Sequence, residues 1–353
     1  MHKYLIALGV SFLVSYFITP VVRWLGVKMN VMDQPGHRKI HKVPKPRFGG
    51  AGLAVAILVA FYVCHRLGFF AAAYRNEFRG LLIGGSIVFA IGLIDDFVNL
   101  RSWIKLAVQI FAAIILVNHG VMISLFIHNP VLSGIVTVIW IVAITNSFNL
   151  LDNMDGLSAG VGAVSCLMFV LVYQRQGLES LNTFLFILMG SLIGFLRYNF
   201  YPSSVIMGDS GALLLGFLIG GTSSMGTYLR GSLLTHLPVI TPVLILGVPI
   251  FDTVSVVIIR LRQRVSIFTA DMNHFSHRLV RLGMNQPQAV LFIYLVSFCA
   301  GITSMLLPHV GREDAAVLLV QALCVFAIIV FLMFTTGEEL KRRIGNKDKT
   351  PGE

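Results

Sequence analysis

The chain has 353 residues, of which 56% are hydrophobic and only 12% charged, at a mean hydropathy of +0.83. So many apolar runs of spanning length exclude a soluble globular protein, and the lack of short alternating strands excludes an outer-membrane barrel. The formal net charge of +11 does not indicate a nucleic-acid partner, because the basic residues lie in loops flanking apolar runs, where membrane topology accounts for them.

Eleven apolar segments are predicted to span, at about residues 4–25, 49–65, 79–94, 104–120, 131–149, 157–173, 181–197, 211–227, 237–259, 289–307 and 315–335. The first has the look of a signal peptide, but Arg23 and a basic loop follow it rather than a small-residue cleavage site, so it reads as a retained span. Cys64, Cys166, Cys299 and Cys324 occur singly in or beside apolar runs, with no Cys-x-x-Cys pair, and suggest neither zinc nor disulfides. The fold class expected is all-α: a polytopic membrane bundle of about 11 transmembrane helices in a single domain over residues 1–353, with 338–353 as a tail. All of the 27 lysines and arginines except Lys3, Arg66, Arg75, Arg79, Arg175, Arg230 and Arg312 fall on one side of this layout. The positive-inside rule makes that side cytoplasmic, with the N-terminus outside and the C-terminus inside.

The polar clusters come next, in chain order. The loop 26–48 is stiff and cationic, and it offers His41 and Arg47 to anionic or phosphorylated lipid just before Gly49-Gly50. Asp95 and Asp96 close the third span. Adjacent carboxylates cannot point the same way on a helix, so one can face a metal or phosphate while the other holds a lysine or a backbone amide. Lys105 is a phosphate partner or a snorkelling lysine. Asn149, Asp152 and Asp155 are spaced by three and would share a face in a helical turn, where amide and carboxylate oxygens suit a hard cation such as Mg²⁺. The competing reading is a capped loop, with Asp155 or Ser158 as N-cap of the next span.

Asp209 lies in the run Gly208-Asp209-Ser210-Gly211, where glycines and a helix start favour anions and the carboxylate could ligate a metal. Asp252, after Pro249 within the ninth span, is either functional or a brace for a broken helix. His274, His277 and Arg278 stand in the basic loop 260–288. With no third ligand nearby, anion or sugar-phosphate contact is favoured there over zinc. Asp33, Asp95, Asp96, Asp152, Asp155, Asp209 and Asp271 all fall on the cytoplasmic side, the same face that the basic residues select. An ion-coupled transporter would instead carry mid-span carboxylates and repeated halves; only Asp252 fits that pattern, and no repeat is visible. A non-catalytic scaffold would have no cause to gather Asp and Asn on one face.

Taken in order, HRKIHKVPKPRFGG, DDFVNL, NSFNLLDNMDGLSAG, MGDSG, PIFDT and NHFSHRL resemble the polyprenyl-phosphate N-acetylhexosamine-1-phosphate transferases over about residues 30–285. The form of the first motif is closer to the branch using UDP-N-acetylglucosamine than to the branch making peptidoglycan lipid I from UDP-N-acetylmuramoyl-pentapeptide. The resemblance implies transfer of a hexosamine-1-phosphate from a UDP-N-acetylhexosamine to undecaprenyl phosphate at the cytoplasmic face of the plasma membrane, with release of UMP. It implies Asp95, Asp96 and Asp209 as catalytic and Asn149 and Asp209 as Mg²⁺ ligands. Asp152, Asp155, His274 and His277 are implied in substrate binding, to which the reading of the residues themselves adds Lys105, Arg278, His41 and Arg47. Membrane lipid and a second copy of the chain complete the expected partners. Two departures stand out: Ile206 occupies a position that is Phe in many relatives, and the histidine motif reads HFSH without a central histidine.

Overall fold

A computed structural model describes residues 1–34, 43–123, 129–226, 240–267, 271–307 and 310–347. The described residues are mostly helical: α1 (His2–Lys28), α2 (Gly49–Arg66), α3 (Arg75–Val98), α4 (Ser102–Asn118), α5 (Pro130–Leu151), α6 (Leu157–Gln176), α7 (Glu179–Asn199), α8 (Gly208–Ser224), α9 (Thr241–Ile245), α10 (Gly247–Arg262), α11 (Phe275–Arg281), α12 (Gln286–Leu306) and α13 (Arg312–Lys347). Two short antiparallel strands, β1 (Met32–Asp33) and β2 (Lys45–Pro46), join α1 to α2.

Each expected span except the ninth coincides with one helix. The ninth falls on α9 and α10, which break at Leu246, and Pro249 sits in the first turn of α10, where its missing N–H is not needed. Among the described residues, eight helices rather than eleven are long and apolar enough to cross a membrane. The others, α4, α8 and α10, have 17, 17 and 16 residues. The expected tail begins inside α13, which continues to Lys347.

Helix α8 is the hub. It is buried along nearly its whole length, so protein rather than lipid surrounds it. A Cβ on Gly92 of α3 would come within 2.7 Å of the Asp209 carbonyl, and one on Gly216 of α8 within 2.7 Å of the Thr145 Cα in α5. Only residues without side chains permit such backbone approach. On the flank, α1 lays Ala7, Ser11, Ser15, Thr19, Val22 and Gly26 along one face against α2 and α7. The Ser15 hydroxyl there donates to the Ser191 carbonyl at 2.7 Å.

Contacts define the two ends of the bundle. At one end Lys3 pairs with Glu179, the Ala71 amide donates to Ser180 Oγ at 2.9 Å, and Asn76 Nδ2 donates to the His119 carbonyl at 2.8 Å. The opposite end gathers the start of α2, the end of α3, the starts of α4 and α8 and the end of α5, and all the polar clusters meet there.

Candidate active site

The start of α8 organises the site. Gly208 has φ +75°, and a Cβ there would lie 2.8 Å from both Asp96 carboxylate oxygens, so no side chain fits. The freed space lets Asp96, reaching across from α3, accept hydrogen bonds from the Asp209 amide at 2.8 Å and the Ser210 amide at 3.0 Å. Asp96 thus caps α8 from another helix, where a carboxylate suits both the unpaired N–H groups and the helix dipole. Its remaining valence goes to Arg47 Nε at 3.0 Å.

Arg47 is placed by main-chain pairing. Its amide donates to the Val31 carbonyl, Ile206 donates to the Pro46 carbonyl, and Gly49 and Gly50 donate to the carbonyls of Ile206 and Met207, all at 2.8–3.0 Å. Residues 46–50 and 206–207 therefore run side by side, and the Arg47 guanidinium lies across the head of α8. Its Nη2 is 2.5 Å from Asp209 Oδ1 and 3.9 Å from Asp95 Oδ2. Burial works against the Arg47 charge, but Asp209, Asp96 and Asp33 outweigh it and raise its pKa further. Lys105, at the start of α4, bridges Asp95 at 3.0 Å and Asp209 at 2.6 Å. Asp95 also accepts the Leu100 amide at 2.6 Å, which fixes the turn between α3 and α4.

Asn149 lies in the last turn of α5 and Asp152 is its C-cap. Gly220 meets Ile141 and Gly216 meets Thr145, so the two helices run antiparallel and bring Asp152 level with Asp209. Neither the Asn149 nor the Asp152 side chain has a hydrogen-bond partner among the described residues. Burial first, and then the nearby carboxylate of Asp209, push Asp152 up to about 8.

Asp155 corrects an expectation. The helix ends at Leu151, so Asp155 does not share a helical face with Asn149 and Asp152. It points instead to Lys45 at 2.8 Å and to the Ser203 hydroxyl and amide at 2.7 and 3.0 Å. Nor does Asp155 or Ser158 cap α6. The N-cap is Gly156 in a left-handed conformation, and the Ser158 hydroxyl donates back to the Phe148 carbonyl. Lys45 and Ser203 went unread in the sequence, since nothing in a lone lysine or a Tyr-Pro-Ser-Ser turn announces a contact across 158 residues.

Helix α11 docks beside this turn, with the Ser276 hydroxyl donating to Asn153 Oδ1 at 2.5 Å. His274 is the N-cap residue of α11, buried, with Nδ1 2.8 Å from Asp252 Oδ2. His277 is one turn in, its ring centroid 6.2 Å from that of His274, and burial lowers its pKa to about 4. Arg278 donates to Ser255 Oγ at 2.6 Å. His41 lies outside the described residues. The fold thus brings Arg47, Asp95, Asp96, Lys105, Asp152 and Asp209 into one cluster, with Asn149 and Asp155 at its border, while α11 and its histidines are tied to the turn after α5 through Ser276 and Asn153.

Comparison with known proteins identifies relatives of the whole chain. A model described as glycosyl transferase family 4 matches residues 78–227, the stretch from Asp95 to Asp209 but neither Arg47 nor α11. The chain is 31% identical over 343 residues to a Bacillus subtilis (strain 168) protein named "probable undecaprenyl-phosphate N-acetylglucosaminyl 1-phosphate transferase", across 94% of this chain and 91% of that one. It is 30% identical over 342 residues to a decaprenyl-phosphate N-acetylglucosaminephosphotransferase of Mycobacterium tuberculosis (strain ATCC 25618 / H37Rv), covering 87% and 83%. It is also 28% identical over 343 residues to a phospho-N-acetylmuramoyl-pentapeptide-transferase of Desulforudis audaxviator (strain MP104C), covering 86% and 98%. With a family model matching residues 78–227 and similarity to named transferases sustained over nearly the full length of both chains, this chain belongs to the polyprenyl-phosphate N-acetylhexosamine-1-phosphate transferase family.

Proposed function

We propose that the protein transfers N-acetylglucosamine-1-phosphate from UDP-N-acetylglucosamine to undecaprenyl phosphate, giving the lipid-diphospho-sugar and UMP and initiating a cell-envelope polysaccharide. The observation that carries this reading is the paired charge at the head of α8. There Arg47 and Lys105 both rest on Asp209, so two cations are stored where a diphosphate would need them. A phosphate oxygen of the lipid attacks the β-phosphorus of the nucleotide sugar. The bond from that phosphorus to the bridging oxygen breaks, and UMP leaves with the electron pair. Such displacements are governed by positioning and charge neutralisation. Arg47 and Lys105 turn from Asp209 toward the phosphates.

Both oxygens of Asp95 are engaged, by the Leu100 amide and by Lys105, which favours an orienting role over attack through an aspartyl-phosphate. The lipid phosphate is already largely ionised at neutral pH. The donor set suits Mg²⁺. Among the described residues no three His, Cys, Asp or Glu side chains form a metal cluster, so a bound ion would also need an amide oxygen and substrate phosphates. Asn149 and Asp209 would hold the ion, with the unpartnered Asp152 beside them, and when bound it would neutralise charge on the diphosphate. The site end faces the cytoplasm, where nucleotide sugars are made.

The test is purified protein in detergent with undecaprenyl phosphate, Mg²⁺ and a panel of UDP-sugars, scored for UMP release. UDP-N-acetylglucosamine is the expected substrate. Preference for UDP-N-acetylmuramoyl-pentapeptide would move the protein to the lipid I branch, and undiminished turnover in EDTA would remove the metal.

A further inference from the structure

Asp252 is a carboxylate buried within α10, 1% exposed, and it belongs to neither the acidic cluster nor the family-model match. Its two oxygens are used differently. Oδ1 accepts the Phe275 amide at 2.6 Å, and so caps α11 from another helix. Oδ2 faces His274 Nδ1 at 2.8 Å. A carboxylate can only accept, so Nδ1 must carry the proton, and His274 Nε2 is left as an acceptor in the neutral ring. No protein group takes Nε2 among the described residues. The backbone restricts the ring too, because His274 is the residue preceding the first turn of α11 and cannot shift without breaking the cap. Ser255 on Arg278 and Ser276 on Asn153 hold α11 between α10 and the turn that bears Asp152.

We propose that Asp252 is a positioning residue for the sugar end of the donor. It fixes His274 in the Nδ1–H tautomer, so that Nε2 accepts a hydrogen bond from a sugar hydroxyl or the acetamido N–H, on the helix that Ser276 ties to Asn153, next to Asp152 in the chain. This rests on the transferase reading above. It explains why a carboxylate is kept inside an apolar helix where any neutral residue would be less costly.

Asp252→Asn separates the two duties, because its carbonyl oxygen can still cap Phe275 while its NH₂ group, set against Nδ1, forces the opposite tautomer. The experiment is UMP release by the full-length protein for Asp252→Asn, His274→Gln and the double variant, with KM measured separately for the two substrates. Expected is a loss of roughly tenfold or more in kcat/KM for UDP-N-acetylglucosamine, an unchanged KM for undecaprenyl phosphate, and no further loss in the double variant. Losses that multiply, equal effects on both KM values, or a His274→Gln protein as active as wild type would each overturn the proposal. If Asp252→Asn does not fold, Asp252→Glu replaces it in the cycle, and partial recovery relative to Asp252→Ala is expected. Histidine ¹⁵N shifts, with His274 assigned by its variant, give a readout independent of turnover. Nδ1 protonated in wild type is expected, and Nε2 protonated would sink the inference even in an active enzyme. A wild type that releases no UMP from any UDP-sugar counts against the transferase reading instead.

Discussion

Asp96 accepts two amides from the head of α8 and pairs with Arg47, whereas Asp95 holds Lys105 and the Leu100 amide at the rim of the cluster. The two substitutions should therefore fail in different ways. Asp96→Ala uncaps a buried helix and leaves Arg47 without its Nε partner, so the protein should lose about 3 kcal/mol of stability, seen as a lowered melting temperature in detergent. Asp95→Asn keeps an acceptor for Leu100 and should melt near wild type, yet turn over roughly 100-fold more slowly. If both variants are equally stable, the capping role is wrong. His277 gives a pH prediction. Its folded pKa of about 4 lies below its usual 6.5, so the unfolded chain binds more protons between those values. The stability it contributes is present above about pH 6.5 and is lost as pH falls toward 4. Melting temperatures measured from pH 7.5 to 5 should drop less for His277→Gln than for wild type, and parallel curves would refute this.

At the scale of the element, the close seams around α8 are the points of weakness. At Gly92 an added methyl meets the backbone of Asp209 and Ser210 at 2.7 Å, and no side chain can rotate away. Gly92→Ala should push α3 from α8, separate Asp95 and Asp96 from Asp209, and lower both melting temperature and turnover; overpacking of this kind costs about 1–3 kcal/mol. Gly68→Leu, at a position with open space, is a poor control because its φ is +73°, whereas Gly9→Ala meets nothing and should be silent. An active, wild-type-stable Gly92→Ala would show that the seam yields. These seams also mark how far the sequence could be read. Helix positions were legible because runs of apolar residues with polar ends announce them, and the acidic motifs were legible because carboxylates beside apolar runs are rare. The end of α5 at Leu151, which takes Asp155 out of line, depends on the left-handed Gly156 and on Lys45 and Ser203 far away in the chain. The partnership of Asp252 with α11 likewise exists only once a helix and a later loop have folded together.

The whole molecule poses the question of sidedness. Up-and-down packing puts Lys3, Ala71, Asn76 and Glu179 at one end and Arg47, Lys105, Asp152 and Asp209 at the other, whichever way the bundle sits in the bilayer. The reaction we propose works only if the second end faces the cytosol, and the surplus of lysine and arginine there favours the same orientation. Ala72 and Arg262 are exposed at opposite ends, the first in the turn before α3 and the second at the end of α10. A cysteine placed singly at each, with Cys299 and Cys324 replaced because they too are exposed, converts the question into labelling. A membrane-impermeant maleimide should modify Ala72→Cys in intact cells stripped of their outer layers, and Arg262→Cys only in inverted membrane vesicles. The reverse pattern would put the acidic cluster on the side that lacks nucleotide sugars, and the transferase assignment could not survive it, however well the residues within the cluster fit the chemistry.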